Sequence, residues 1–337
     1  MQTLQANIAE FHGNRAVERC HSLAQISEMS GGILRQYLTK QHQLCNQQTS
    51  EWMTAAGMST WQDEVGNQWG RLVSSNPNAK RLIIGSHLDT VPNAGAYDGI
   101  LGVMLAIELA EIAHVQQIDL PFHLDVVGFC DEEGTRFATT LIGSKALANG
   151  FDASWLSIAD NDGITMAEAM QEFGLNPSEA KNSALNSDEL IGYWEAHIEQ
   201  GPVLEAQQQA IGIVTAIAGA KRAMISFSGQ AGHAGTTPMN LRQDALAAAA
   251  EFVVTVEALA NQCTNGEVAT VGFIDAKPGA TNVIAGQSSI SLDVRAQNDE
   301  DLDSLIARLQ TKAQQITQQR NIELEWQWTH AADAVAC

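Results

Sequence analysis

The chain has 337 residues, of which 45% are hydrophobic, so one large domain or two ordinary ones with a real core are expected. With 39 acidic and 18 basic residues, its formal net charge is −21. This charge disfavours nucleic acid and anionic membranes as partners, because phosphate neutralisation needs clustered Lys and Arg. The sequence predicts no signal peptide and no membrane helix. Its five cysteines are scattered and form no C-x-x-C pair, which predicts a cytoplasmic location.

Strand and helix patterns alternate in the first part of the chain. Helical patterns cover residues 33–57, 99–115 and 139–150, strand patterns cover 81–84 and 121–129, and a hairpin is predicted around Gly66-Asn67. The order of strand, helix and strand predicts an α/β sheet with helices on its faces.

The later part of the chain has a different order of elements. Strands are predicted at 221–229, 268–276, 288–296 and 321–328, with long helices at 240–262 and 299–320. This βαββαβ order is typical of a small ferredoxin-like domain. We therefore expect one domain over residues 1–211, completed by residues 329–337, and a second, inserted domain over 212–328.

Titratable side chains cluster where the predicted strands of the first domain end. The stretches concerned are "GSHLDTVPNAGAYDG" (85–99), "CDEEG" (130–134) and "YWEAHIEQGP" (193–202). In open α/β sheets, ligands bind beyond the carboxyl ends of the strands. Two histidines and several carboxylates that converge there favour a divalent-metal site.

The spacing of these residues indicates which of them can bind a metal and which can act beside it. In His87-x-Asp89, one side chain can bind a metal while the other orients the imidazole, and Asp98 can return after a loop to bridge two ions. Because Glu132 and Glu133 are adjacent, one can ligate while the other stands free as a general base. Alone, either pair is more often a hydrogen-bonded surface feature, and it is their combination in this order that favours a metal site.

Six motifs together resemble a known family. They are "GSHLDTVPNAGAYDGILGV", "DEEGTRFATTLIGSKAL", "HIEQGPVLE", "GHAGTTPM", "TNVIAG" and "SLDVRA". They resemble the two-metal amidohydrolases of the aminoacylase and carboxypeptidase-G clan, peptidase family M20, in the hydantoinase/carbamoylase branch. The resemblance is nearest to allantoate amidohydrolases. It implies a mixed-sheet α/β catalytic domain of the zinc-peptidase type with an inserted ferredoxin-like lid, through which the chain would form a homodimer.

The resemblance also implies a ligand set for two divalent ions per subunit. His87 and His197 would bind the first ion, Asp98 would bridge both, and Glu133 would bind the second. Asp89 would orient His87. The mixed His and carboxylate donors suit zinc or manganese, with nickel or cobalt as alternatives.

Catalytic and substrate-binding roles follow from the same resemblance. Glu132 would be the general base, taking a proton from a water held between the ions and delivering it to the leaving nitrogen. His233 would stabilise the oxyanion across the dimer, and Asn282 with Arg295 would hold a substrate carboxylate. Gln200 is a further candidate for substrate contact. The alternatives are local loop packing for His233 and a strand-end salt bridge for Arg295.

One family feature is missing from the sequence. The resemblance implies a last histidine for the second metal, well after the final strand of the lid, and the sequence ends at Cys337 before such a segment. His330 lies too close to that strand to replace it. We therefore expect a C-terminally truncated catalytic domain and an incomplete second metal site.

These features predict a metal-dependent hydrolase of linear amide or ureido C–N bonds in a small carboxylate substrate. Allantoate is the preferred substrate, and N-carbamoyl-L-amino acids or β-ureidopropionate are the close alternative. An inactive remnant that binds metal or ligand is the alternative of another class, favoured by the missing histidine and opposed by the presence of Glu132.

Overall fold

A computed structural model describes residues 2–337, with side chains from residue 7 onward. The chain folds into two compact units, Met1–Ala206 and Gln207–Cys337. The α-helices are α1 (Gln2–Ala24), α2 (Lys40–Ala55), α3 (Ile100–Val115), α4 (Ile142–Leu147), α5 (Met166–Phe173), α6 (Val203–Ala206), α7 (Ala245–Ala260) and α8 (Asp299–Arg320). The strands of the first unit are β1 (Ser59–Gln62), β2 (Gln68–Leu72), β3 (Arg81–His87), β4 (His123–Phe129) and β5 (Leu190–Trp194).

The first unit is built on a mixed five-stranded sheet in the order β1-β2-β4-β3-β5. β3 runs parallel to both β4 and β5, whereas β1-β2 and β2-β4 are antiparallel. α3 packs on β3 and β4 through apolar side chains and shares a core with α1 and α2. The predicted α/β sheet with helices on its faces is confirmed, and its parallel strands bring three carboxyl ends to one edge.

The predicted hairpin is also confirmed, and its turn is anchored to β4. The Asp63 carboxylate accepts backbone N–H groups from Val65, Gly66 and Asn67, and Gly66 has a φ of 100° that favours glycine. The Asn67 side chain accepts the backbone N–H of Cys130. The turn therefore fixes the chain at the residue where β4 leaves the sheet.

Two features of the N-terminal region differ from the sequence analysis. Helix α1 (Gln2–Ala24) was not predicted, and the helix expected from residue 33 begins only after Thr39, whose side chain caps it. Before it, Arg35 forms an isolated bridge with Thr90 and residues 37–38 form a turn. Arg35 is buried, and its guanidinium donates to the carbonyl oxygens of Leu88, Leu23 and Ile26.

The strands of the second unit are β6 (Ala216–Ile217), β7 (Gly219–Ser228), β8 (Gly232–His233), β9 (Val268–Thr270), β10 (Ile274–Lys277), β11 (Val283–Ile284), β12 (Gln287–Ala296), β13 (Glu323–Ala332) and β14 (Val335–Ala336). Its main sheet is antiparallel in the order β10-β12-β7-β13, and β9 also pairs with β12. α7 and α8 pack on it around an apolar core. This is the predicted βαββαβ arrangement.

The end of the chain contributes to the second unit. β13 continues to Ala332, beyond the predicted limit, and β14 pairs with β6. The expected strand at 268–276 is broken into β9 and β10.

The functional domain limits of 1–211 and 212–328 stay a prediction. Among residues 2–337, no helix is long and apolar enough to cross a membrane.

Candidate metal centre

The candidate centre lies at the carboxyl edge of the first sheet. β3 ends at His87, which is in register with Phe129 at the end of β4. β5 ends at Trp194, after which the chain carries His197. Parallel pairing thus brings the "HLD", "DEE" and "EAH" segments together although they are far apart in sequence.

His87, Asp98 and His197 form a group whose donor atoms all lie within 4.8 Å of one another. The Nε2 atoms of His87 and His197 lie 3.9 and 3.4 Å from Asp98 Oδ1. Two donors bound tetrahedrally to zinc at ~2.0–2.1 Å would lie roughly 3.3 Å apart. The three side chains therefore have a spacing that fits one divalent ion.

The tautomers of both imidazoles also fit a cation. The Nδ1 atoms of His87 and His197 contact the backbone carbonyl oxygens of Asp89 and Ile198, at 3.0 and 2.8 Å. Because a carbonyl oxygen only accepts, each Nδ1 carries a proton, which leaves Nε2 as the atom of each imidazole that can bind a metal. Both Nε2 atoms face Asp98 Oδ1, so a divalent ion between them would meet two nitrogen donors and one carboxylate oxygen.

Gly99 keeps the space beside His87 open. A Cβ at this position would lie 2.4 Å from His87 Nε2, and the φ of 73° also favours glycine. Gly99 caps α3 immediately after Asp98. Gly99 thus lets helix α3 begin directly against the His87 imidazole, one residue after Asp98.

Glu132 and Glu133 form a second group with His87, again within 4.8 Å. Buried Asp89 holds this pair, because its Oδ1 and Oδ2 accept the backbone N–H groups of Glu132 and Glu133, each at 3.0 Å. Asp89 contacts His87 mainly through its backbone carbonyl, since its carboxylate lies 3.7 Å from Nδ1. Its side chain therefore orients the two glutamates more directly than the imidazole.

The acidic cluster shifts the pKa values of its members. Burial raises the pKa of Glu132, and burial together with the charge of Glu132 raises the pKa of Glu133 to about 7. Burial lowers the pKa of His87, but Asp89 and Glu132 outweigh it and the net pKa is raised. Such crowding of carboxylates favours a cation at this place.

Asp131 was named in the sequence analysis only as part of the "CDEEG" run. It is fully buried with a φ of 53°, and neither carboxylate oxygen has a hydrogen-bond partner among the described residues. Burial raises its pKa well above the usual range. Three consecutive acids after a strand were the only signal in the sequence that one of them would turn inward.

Gln200 is brought to the centre by a different contact from the one expected. Its side-chain Nε2 lies 2.9 Å from both carboxylate oxygens of Asp98. Gln200 therefore lies against a candidate metal ligand, and this contact was not predicted because it depends on the turn that follows His197.

Three of the predicted substrate residues lie in the second unit. His233 on β8 pairs with Val283 on β11, next to Asn282. His233 Nδ1 accepts the backbone N–H of Gly235, so its Nε2 carries a proton and can donate to an oxyanion. Arg295 on β12 is half-exposed and donates to Asp293. The structure brings His233 and Asn282 together and places Arg295 on another strand.

Comparison with known proteins identifies the class. Residues 83–335 match the model of Peptidase family M20/M25/M40, and the chain belongs to this family of metal-dependent hydrolases. It is 37% identical to allantoate deiminase 1 of Glycine max, over 96% of this chain and 72% of that protein. It is 36% identical to an N-carbamoyl-L-amino acid amidohydrolase of Geobacillus stearothermophilus, over 97% of this chain and 80% of that protein.

Solved structures agree with this assignment. A hydantoinase/carbamoylase family amidase of Burkholderia multivorans superimposes with a TM-score of 0.89 at 32% identity, covering 96% of this chain and 78% of that one. AtUAH in complex with glyoxylate gives a TM-score of 0.74 at 29% identity, with 96% and 79% covered. The predicted family and the mixed α/β fold are confirmed.

Proposed function

We propose that the chain hydrolyses a ureido or linear amide C–N bond of a small carboxylate substrate, with allantoate as the preferred substrate. The observation that carries this is the convergence of His87, Asp98 and His197 beside Glu132. Relatives named as allantoate deiminases support the choice of substrate. Glyoxylate, the ligand of AtUAH, is itself a small carboxylate.

His87, Asp98 and His197 would hold the first divalent ion, zinc or manganese, with nickel or cobalt as alternatives. A divalent ion in such a site polarises the substrate carbonyl and lowers the pKa of water. Glu133 and Asp98 would hold a second ion. Because the first group offers two imidazoles and a carboxylate, we propose that it binds more tightly than the second.

Glu132 would act as general base. It lies in the same donor group as His87 and is not needed to complete the His87, Asp98 and His197 set. It would take one proton from the attacking water, whose oxygen bonds to the carbonyl carbon, and deliver it to the nitrogen as the C–N bond breaks. Asp89 would keep the Glu132 backbone fixed during both transfers.

The second unit would bind the rest of the substrate. Protonated Nε2 of His233 would donate to the developing oxyanion, and Asn282 and Arg295 would hold the carboxylate. We propose that His233 acts across a homodimer formed through this unit. The edge strands of its main sheet, β13 and β10, would be the surfaces for it.

N-carbamoyl-L-amino acids are the second candidate substrates, because relatives with that activity in their names are 35–36% identical to this chain. Ammonia release should be measured from allantoate and from N-carbamoyl amino acids, with zinc and with manganese added. A higher kcat/KM for allantoate is expected. A preference for N-carbamoyl amino acids would reverse the choice of substrate, and hydrolysis of neither would favour the inactive remnant.

A further inference from the structure

The two histidine-bearing segments lie beyond the end of their strand pairing. β3 and β5 are in register up to Ile84 and Trp194, whereas His87 and His197 lie farther along each chain. Backbone hydrogen bonds of this ladder therefore do not fix the distance between the two imidazoles, whose ring centres are 5.7 Å apart. Another contact has to hold the second segment against the first.

The side chain of Glu195 makes that contact. Ser86, which is fully buried and precedes His87, donates its hydroxyl to Glu195 Oε1 at 2.5 Å. Tyr193 Oη lies 2.7 Å from the other carboxylate oxygen and 3.1 Å from the Gly85 carbonyl oxygen. Hydroxyl bonds to a carboxylate are short and roughly twice as strong as neutral ones. The Glu195 carboxylate thus joins β5 to β3 where the backbone ladder has ended.

The next residue is fixed from the opposite side. A Cβ at Gly102 in α3 would lie 2.1 Å from the Ala196 carbonyl oxygen and 2.9 Å from the Cβ of Ser86. Helix α3 therefore approaches residue 196 as closely as a glycine allows. Between these contacts, the segment leading to His197 has little freedom to move away from β3.

We propose that Glu195 is a positioning residue of the metal centre, which anchors the segment carrying His197 to the strand carrying His87. It belongs to neither donor group, and both of its oxygens have protein partners. The inference rests on the proposed function only in taking His87, Asp98 and His197 as metal ligands.

The test is Co²⁺ binding to the chelator-stripped 337-residue chain, followed by the visible absorption of the ion. Residues that orient metal ligands typically change metal affinity about 10–100-fold when mutated, and Glu195→Ala should weaken Co²⁺ by a factor in this range. Glu195→Gln retains an oxygen for Ser86 and an amide that can donate to Tyr193 Oη, so it should recover most of the affinity. Faster amide exchange over residues 194–198 of metal-free Glu195→Ala should accompany the loss.

Glu189→Gln is the matched control, because it removes a carboxylate just before β5 whose side-chain contact is local, to Asn186. It should stay within about twofold of the wild type, as exposed substitutions usually do. Wild-type Co²⁺ affinity and spectrum in Glu195→Ala would overturn the proposal, even with faster exchange. If Glu195→Ala does not fold, Ser86→Ala replaces it. Weaker Co²⁺ binding in Ser86→Ala would then support the proposal, and wild-type Co²⁺ affinity and spectrum would overturn it. A wild-type chain without Co²⁺ affinity would overturn the proposed metal function instead.

Discussion

Asp89 holds two backbone amides with one carboxylate, and this fixes the relative position of Glu132 and Glu133. Both glutamates receive the same support, at 3.0 Å from Oδ1 and Oδ2. The different roles proposed for Glu132 and Glu133 must therefore come from the different directions in which their side chains leave the backbone. Substitutions that keep the backbone and change only the carboxyl groups can separate these roles.

Glu132→Gln should keep metal in the first group and lower kcat at least about 100-fold, because general bases contribute 10²–10⁴-fold and an amide cannot accept the proton. Glu133→Gln is the paired variant and should lower the content of the second metal. Steady-state kinetics and elemental analysis of both proteins check this. Wild-type kcat in Glu132→Gln would exclude it as the base.

Arg295→Ala should raise KM for carboxylate substrates by at least about tenfold, or about 1.4 kcal/mol, without changing metal content, because it removes the cation proposed to pair with the substrate carboxylate. Arg222→Ala is a matched control, since Arg222 donates to the same Asp293 carboxylate from β7. It should change KM less. An unaltered KM for both candidate substrates in Arg295→Ala would remove that residue from the site.

Residue types and spacing were enough to predict which side chains gather at the strand ends. They could not give the contact of Asp89 with the amides of Glu132 and Glu133, since those residues lie 43 and 44 positions away. Nor could they predict that Gln200 would contact Asp98. Both contacts depend on loop geometry, which hydrophobic periodicity does not describe.

Among the elements, long periodic segments were predictable and their interruptions were not. The βαββαβ order was readable because α7 and α8 each bury one apolar face. The break between β9 and β10 was not, since residues 268–276 form one continuous strand pattern. Helix α1 was missed because few apolar side chains bury it, namely Ala16, Cys20 and Leu23. The rest of its contact with α3 is polar, from His12, Arg15 and Arg19 to Glu108.

The contact between α1 and α3 should make stability depend on pH. Burial raises the pKa of Glu108, but Arg15, His12 and Arg19 outweigh it and the net pKa is lowered. A lowered folded-state pKa stabilises above the unfolded value of about 4.3 and loses that effect as pH falls through the folded value. Glu108→Gln should cost about 3–5 kcal/mol at pH 7, because it removes the nearest counter-charge of buried Arg19 and leaves only the more distant Glu111 carboxylate, 3.8 Å away.

Urea unfolding of the wild type and Glu108→Gln at several pH values checks this. The difference in free energy of unfolding should be largest near pH 7. It should shrink as pH falls from the unfolded pKa of about 4.3 through the lowered folded-state pKa of Glu108. Glu111→Gln is a suitable control, because Glu111 is more exposed and shares the same arginines. A difference that stays constant from pH 7 to below pH 4 would exclude this electrostatic account.

For the whole molecule, the two candidate sites should differ in metal affinity. The first has two imidazoles with free Nε2 atoms and Asp98, whereas the second is made of carboxylates beside His87. Catalytic sites usually retain three protein ligands and a water. Elemental analysis after dialysis should therefore give nearer one ion than two per chain. Two tightly held ions would show that another group, such as a partner chain, completes the second site.

Metal dependence tests the central claim most directly. The chain should be stripped with a chelator, dialysed, and titrated with manganese or zinc while ammonia release from allantoate is followed. We expect activity to disappear on stripping and to return with added ion in the wild type. It should not return at the same ion concentrations in His197→Ala, which lacks one imidazole of the first group. Ammonia release that continues in the fully stripped chain would contradict the account.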